Sequence, residues 1–461
     1  MTRRAWVRLD NASNIFLAAR TDADPKVFRL GAEVDHEVDP ALLQAALDAT
    51  YERYPLYHAV LRRGVFWYYL QDSDLRPVVA AEDQPTCAPI YRADRRELLF
   101  RVTHHRRRIS LEVFHALSDG TGALWFLSDL VTAYLALRHP AVGRPPEATG
   151  SALGLTPDSF RHYFHGRRRP GESGESAARA DFSRAATPAV LTVGDAPRAT
   201  AGPPEPGRAH PAARTVFRAR GTRTPDSRTR AVELTMPARG LLELARAEGV
   251  SPTMFLTALF FEAVRRSSGG LGTARTLAAS VPVNLRQHFP STSARNFFAT
   301  VRVEHTYGEV PDDVGSVARQ LERRFRPQAT PEALERKLRR FIRLERAPVL
   351  RIMPRPVKDV LLRLVNWGNN RGLTVAVSNL GLVRLPEDVD AHVGRMQFHV
   401  SAVRPQICVI SHAGLLTVTF SSPFTETGHV REFARMLTGR GVAVTVAAAR
   451  VTEEELAEGE P

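Results

Sequence analysis

Between residues 167 and 213 the chain gives up hydrophobic periodicity and fills with Pro, Gly, Arg, Ala, Ser and Glu, as in Gly202-Pro-Pro-Glu-Pro-Gly207. Such a stretch cannot bury enough apolar area to offset its ordering entropy. A chain of 461 residues also exceeds what one ordinary core accommodates. The organisation expected is therefore an N-terminal lobe over 1–166, a flexible linker or insert over 167–213, and a C-terminal lobe over 214–461.

Both lobes read as α+β. Asp39-Pro40 sets an N-cap followed by proline at the first helical position, and Leu42, Leu43, Ala46, Leu47, Tyr51 and Tyr54 recur at helical spacing up to Pro55. Short alternating segments at 57–61, 65–70 and 98–102 have the look of an antiparallel sheet, and a long helix is expected over 121–138. In the second lobe, helices are expected over 237–248 and from the Ser251-Pro252 cap to 267. Strands are expected at 277–283, 298–303, 373–378, 396–401, 407–411 and 416–420. Two lobes of one class suggest a ligand cleft between them.

The longest apolar run, 254–264, contains Glu262 and falls short of the roughly 20 residues a bilayer span needs, so it reads as a buried helix. The first residues lack the apolar core and small-residue cleavage site of a secretory signal, and a cytoplasmic location is expected. Cys87 and Cys408 show no metal or disulfide spacing and read as small core fillers. No metal site is expected. A net charge of +14 invites nucleic acid. The base is almost all arginine, however, with only Lys26, Lys337 and Lys358 as lysines, and it is scattered along the chain, so that reading is set aside.

The chemistry concentrates in Ile109-Ser-Leu-Glu-Val-Phe-His115-Ala-Leu-Ser-Asp119-Gly120. Alternation puts Ile109, Leu111, Val113 and His115 on one strand face, with Ser110 and Glu112 on the other. The imidazole thus points inward at a strand end, beside a loop that opens a helix, where a rigid scaffold can present a group to a ligand. A reaction that strips the proton from an attacking hydroxyl needs a base of near-neutral pKa, and histidine supplies one. No Gly-x-Ser-x-Gly elbow or charge-activated cysteine is present, which favours direct attack by the acceptor. On spacing alone two readings stay open: His115 as base or as a satisfied core histidine, Asp119 as more than an N-cap or only that, Gly120 as functional or as a turn residue.

His115-x-x-x-Asp119-Gly120 at a strand-to-helix junction resembles the active-site motif of the coenzyme A-dependent acyltransferase superfamily. That superfamily includes nonribosomal peptide condensation domains, BAHD plant enzymes, wax ester synthases, polyketide-associated acyltransferases and bacterial alcohol acetyltransferases. The resemblance extends to the helix before Pro55-Leu-Tyr-His-Ala-Val-Leu-Arg62, to Ser280-Val-Pro-Val-Asn284-Leu-Arg286 with Asn296-Phe-Phe, and to Val377-Ser-Asn-Leu-Gly381. The bacterial alcohol acetyltransferases are the most similar in overall character. Phe114 stands where condensation domains often carry a second histidine, and the Asp-Phe-Gly-Trp-Gly signature of BAHD enzymes is absent.

The resemblance implies two chloramphenicol-acetyltransferase-like lobes with an active-site tunnel between them. His115 would be the general base, and Asp119 a structural carboxylate paired with an arginine of the second lobe, for which Arg286 is the candidate, supported by Asn284. Gly120 would let the backbone turn aside for the thioester, and Ser378 and Asn379 would donate hydrogen bonds near the oxyanion or acceptor. The implied donor is acyl-CoA or an acidic acyl carrier protein, either of which suits a basic surface. The implied acceptor is a small alcohol or amine, with no permanently bound cofactor. No carrier or adenylation segment follows, so a stand-alone O-acyltransferase is expected. Two other readings accompany it. One is a non-catalytic, condensation-like docking module. The other is a membrane-peripheral lipid or wax ester acyltransferase, suggested by helical stretches 334–346 and 357–365 with Arg339, Arg340, Arg343 and Arg363.

Overall fold

The computed structural model describes residues 5–139, 215–345 and 353–457, together with Val142, Gly143, Leu155, Phe160 and Tyr163; the linker expected over 167–213 lies outside the described residues. Three sheets organise the rest. A five-stranded sheet runs Val393–Val400, Val27–Val34, Arg108–Phe114, Phe100–His105, Ala80–Ala81. A seven-stranded sheet runs Phe298–Thr306, Thr276–Asn284, Val375–Leu382, Gln406–His412, Leu415–Ser422, Arg230–Pro237, Thr445–Ala448. A small sheet joins Trp6–Arg8, Tyr68–Asp72 and Ala59–Arg63. The architecture is α+β.

Strand Val393–Val400 is the exception to a simple division of the chain. It belongs by sequence to the second half, yet it pairs antiparallel with Val27–Val34 and completes the first lobe's sheet. The single cut expected at 214 therefore does not describe the lobes, because the C-terminal half lends a strand back.

The first lobe's helices form where their caps predict. Asp39 accepts from the amides of Ala41 at 2.8 Å and Leu42 at 3.1 Å and starts helix Pro40–Arg53. That helix packs against Gly120–Arg138. Gly120–Arg138 is long and apolar enough to cross a membrane, which the 254–264 stretch is not, but its side chains are largely buried in the lobe's core. In the second lobe, Pro252–Ser267 buries every residue from Met254 to Val264, Glu262 among them. Glu262 keeps its charge through Arg265 and Arg266, each at 2.7 Å.

Strand Gln406–His412 shows how the lobes meet. Ile407 and Val409 face the second lobe's core, while Cys408 and Ile410 face the first lobe's core. The strand is apolar on both sides because each side is covered. Cys87 and Cys408 are buried free thiols.

Some boundaries differ from expectation. The 65–70 segment is the tip of a hairpin, closed by the Gly64 amide on the Trp67 carbonyl at 2.8 Å, so the strand starts only at Tyr68. Helix Pro331–Glu345 puts Leu334, Leu338 and Ile342 into the second core, which makes it an ordinary packed helix with a solvated basic face.

Candidate active site

Strand Arg108–Phe114 is central in its sheet and buried on both faces. Glu112, on the face opposite Leu111 and Val113, is fully buried and accepts from Arg29 Nε at 2.7 Å, Arg101 Nε at 2.6 Å and the Cys87 amide at 2.7 Å. His115 follows directly. Its amide donates to the Lys26 carbonyl at 2.8 Å, extending the ladder by one rung, and its carbonyl accepts from Asn296 Nδ2 at 2.8 Å. The backbone of His115 is thereby held from both halves of the chain.

The ring sits among aromatics. Phe16 stacks on it at 3.8 Å between centroids and 12° between planes, Phe28 meets it edge-on at 5.0 Å, and Phe298 of the second half lies at 5.9 Å. Nδ1 is buried without a hydrogen-bond partner, whereas Nε2 is not sealed off in this way. Burial pushes the imidazole pKa down to about 4, because taking the cation out of water costs more than the Asp119 charge and the Asn296 amide return. The ring is uncharged at physiological pH.

Asp119 does not touch the ring. Its Oδ1 caps helix Gly120–Arg138 by accepting from the Gly122 amide at 2.9 Å. Its Oδ2 accepts from Arg286 Nη1 at 2.7 Å and from the Phe297 amide at 2.8 Å. Both partners of the pair are buried, with side chains only 5% and 7% exposed. Arg286 spends its remaining donors on the carbonyls of Ser293 at 2.7 Å and Arg295 at 2.6 Å. Asn284 supports it, with Oδ1 accepting the Arg286 amide at 3.0 Å and Nδ2 donating to Thr121 Oγ1 at 3.2 Å.

A second pair repeats this device. Asp10 caps helix Asn11–Ala19 by accepting from Ser13 at 2.8 Å, and Arg295 Nη2 reaches its carboxylate at 3.1 Å. Asn296 joins the two arrangements, donating to Ser13 Oγ at 2.9 Å as well as to His115. One segment of the second half, 284–297, thus clamps the N-termini of the helices that carry Phe16 and Gly120. Sequence reasoning marked Asn296-Phe-Phe as a segment but gave Asn296 no role. Phe16 went unseen, since its nine-residue helix shows no strong periodicity.

The glycines divide differently than expected. The φ of Gly120 is not in the left-handed region, so its backbone conformation alone does not require glycine. Its missing side chain makes room for Leu380, since a Cβ there would come 2.8 Å from Leu380 Cδ2. Gly122 is more constrained, because a Cβ would fall 2.2 Å from the Ala294 carbonyl oxygen and 2.5 Å from Ser118 Oγ.

Asn379 makes its side-chain hydrogen bonds within the second half of the chain. Its Nδ2 donates to Thr253 Oγ1 at 3.0 Å and its Oδ1 accepts from the Gly381 amide at 2.8 Å, so it shapes the bulge where Gly381 takes φ +79°. Ser378 pairs across the sheet with Cys408, whose side chain faces the first lobe, and it makes no hydrogen bond among the described residues.

Beside Lys26 opens a cavity of about 980 Å³. Its walls carry Arg20, Lys26, Arg218, Arg220, Arg223, Arg363, Arg371 and Arg404 against one carboxylate, Asp22. The lining reaches Lys26, the hydrogen-bond partner of His115, and not the His115 ring itself. Such a concentration of like charge on concave walls focuses an attractive field on anions.

One group of described residues has metal-ligand geometry. Asp35, His139 and His392 offer atoms within 4.8 Å of one another. His139 follows the C-terminal end of helix Gly120–Arg138, about 30 Å along its axis from Asp119, so this group is remote from His115.

No family model matches the sequence, and no curated protein does. Solved structures do match over nearly the whole chain. Polyketide synthase associated protein 5 from Mycobacterium tuberculosis superposes with TM-score 0.53 at 14% identity, covering 94% of this chain and 98% of that one. The first condensation domain of the calcium-dependent antibiotic synthetase gives 0.55 at 17%, covering 95% and 96%. F. graminearum TRI101, complexed with Coenzyme A and T-2 mycotoxin, gives 0.57 at 12%, covering 96% and 99%. The fold is the two-lobed condensation-domain fold.

Proposed function

We propose that this protein is an acyltransferase. It moves an acyl group from a pantetheine thioester, carried by coenzyme A or by an acyl carrier protein, to a hydroxyl or amine, with His115 as general base. The observation that carries the reading is the placement of His115: a neutral imidazole in an aromatic box, fixed through its backbone by Lys26 from one half of the chain and Asn296 from the other. TRI101, of the same fold, was solved with Coenzyme A and T-2 mycotoxin, which supports the donor class.

In the proposed step, Nε2 takes the acceptor's proton as the acceptor oxygen or nitrogen attacks the thioester carbonyl. Collapse of the tetrahedral intermediate breaks the carbon–sulfur bond, and the proton on His115 leaves with the departing thiolate. Asp119 takes no proton, since both its oxygens are committed to Gly122, Arg286 and Phe297; it is a positioning residue. The arginine-lined cavity suits the phosphates of the donor, which would lie there while the pantetheine arm runs past Lys26 towards His115.

The test is thiol release from a panel of acyl-CoA thioesters with alcohol and amine acceptors. His115→Ala is expected to lose about 10²-fold or more of the acceptor-dependent rate while melting within a few degrees of the parent. Unchanged turnover by that variant would refute the proposal.

A further inference from the structure

Helix Arg355–Arg371 is turned inside out. No residue in it is buried. Its polar Asn366 and Asn370 face inward and line the cavity, while Val357, Val360, Leu361, Leu364 and Val365 stand 42% to 60% exposed and Trp367, also exposed, stands at the cavity's rim. An amphipathic helix on a folded domain ordinarily does the reverse. Pro331–Glu345 does so in this same chain, with Leu334, Leu338 and Ile342 packed inside.

The exposed stripe does not end with the helix. Its first turn is tied to the 64–67 hairpin, with the Arg355 amide on the Val65 carbonyl at 3.0 Å and Lys358 Nζ on the Phe66 carbonyl at 3.2 Å. That hairpin presents Val65 and Phe66 to solvent, and the adjoining strand presents Trp6. Two segments far apart in sequence therefore build one apolar face, larger than isolated surface residues account for.

Charge identifies the occupant. The helix's single carboxylate, Asp359, is withdrawn, accepting from Tyr68 at 2.8 Å. Arg8 and Lys358 lie over the Trp67 ring at 3.1 and 3.4 Å, and Arg363 and Arg371, which also line the cavity, are exposed where its rim meets the stripe. An apolar face fringed by cations and indoles complements the boundary between acyl chains and anionic headgroups.

We infer that this face docks the protein on an anionic lipid bilayer, with helix Arg355–Arg371 lying in the plane of the interface. The helix packs on Asn11–Ala19, whose Phe16 stacks on His115, so docking brings the membrane surface close to that ring.

The experiment is co-sedimentation with vesicles of phosphatidylcholine, with and without phosphatidylglycerol, at low and high NaCl. The wild-type chain is expected to sediment with the anionic vesicles and to be released by salt. Leu361→Glu/Leu364→Glu, at positions outside the cavity lining, is expected to lose vesicle partitioning by about tenfold or more while keeping its melting temperature. A wild-type chain that stays in the supernatant with every vesicle, or a double variant that sediments like wild type, overturns the inference. So does a wild-type dimer that the double variant converts to a monomer, which would make the face a protein interface. Vesicle binding is read without turnover, so its failure is separable from failure of the proposed acyl transfer.

Discussion

Replacing Asp119 by alanine strips three hydrogen bonds from the seam between the lobes: the cap on Gly122, the ion pair with Arg286 and the Phe297 amide. The cap alone is worth about 1 kcal/mol. Leaving Arg286 buried without its carboxylate costs about 3–5 kcal/mol. The Phe297 amide would lose its acceptor at roughly 1–3 kcal/mol. These losses overlap, since Arg286 keeps the Ser293 and Arg295 carbonyls, and a net destabilisation of about 4–6 kcal/mol follows. Unfolding entropy near 2.1 cal/mol/K per residue gives about 0.4 kcal/mol/K for a lobe of roughly 200 residues. The expected drop in Tm is then about 10 °C if the lobes melt separately, and about half that if they melt together. Differential scanning calorimetry of Asp119→Ala, Arg286→Ala and the double variant measures this directly. Because each single change orphans the other partner, the double variant should be more stable than additivity predicts by about 1–3 kcal/mol. Single variants within 2 °C of the parent, or strictly additive losses, would show that the pair does not hold the seam.

The glycines give a contrast between neighbours. Gly122→Ala drives a methyl into a backbone carbonyl and should destabilise strongly, whereas Gly120→Ala meets only the end of Leu380 and should be largely restored by Leu380→Ala. Equal melting temperatures for the two single variants would contradict that contrast. The pH dependence follows from the burial of His115, whose pKa of about 4 in the folded chain lies below its ordinary value. The folded form binds fewer protons than the unfolded between these values, so its contribution to stability is complete above about 6.5 and is lost as pH falls towards 4. The partly buried His429, also near 4, acts in the same direction. On the activity side, the acid limb of kcat/KM should lie well below pH 6.5, and a limb at the ordinary histidine value would mean that the imidazole is solvated or is not the base.

How much of this was legible in the sequence depends on the range of the force involved. Caps and periodicity act within a few residues, and Asp39-Pro40 and Ser251-Pro252 each open the helix they announce. The rule that a buried carboxylate requires a cation acts across the fold yet needs no coordinates. For Asp119 it asks only for some cation close by; the family resemblance implied an arginine of the second half, and Arg286 stands there at 2.7 Å. Illegible were the matters decided by which surfaces meet. Alternation marks 396–401 as a strand but does not say whose edge it joins, because a strand's face pattern is the same beside any partner. Asn379 carries the same amide whether it faces an oxyanion or braces a bulge, and only the positions of Thr253 and Gly381 decide. Helix Asn11–Ala19 is short, and its cap aspartate gains its importance from Arg295, nearly three hundred residues away. The aromatic box follows the same logic: Phe16, Phe28 and Phe298 converge on His115 from three separate elements. An imidazole depressed by desolvation is thus a property of the assembled seam, and no local motif around His115 could have announced it.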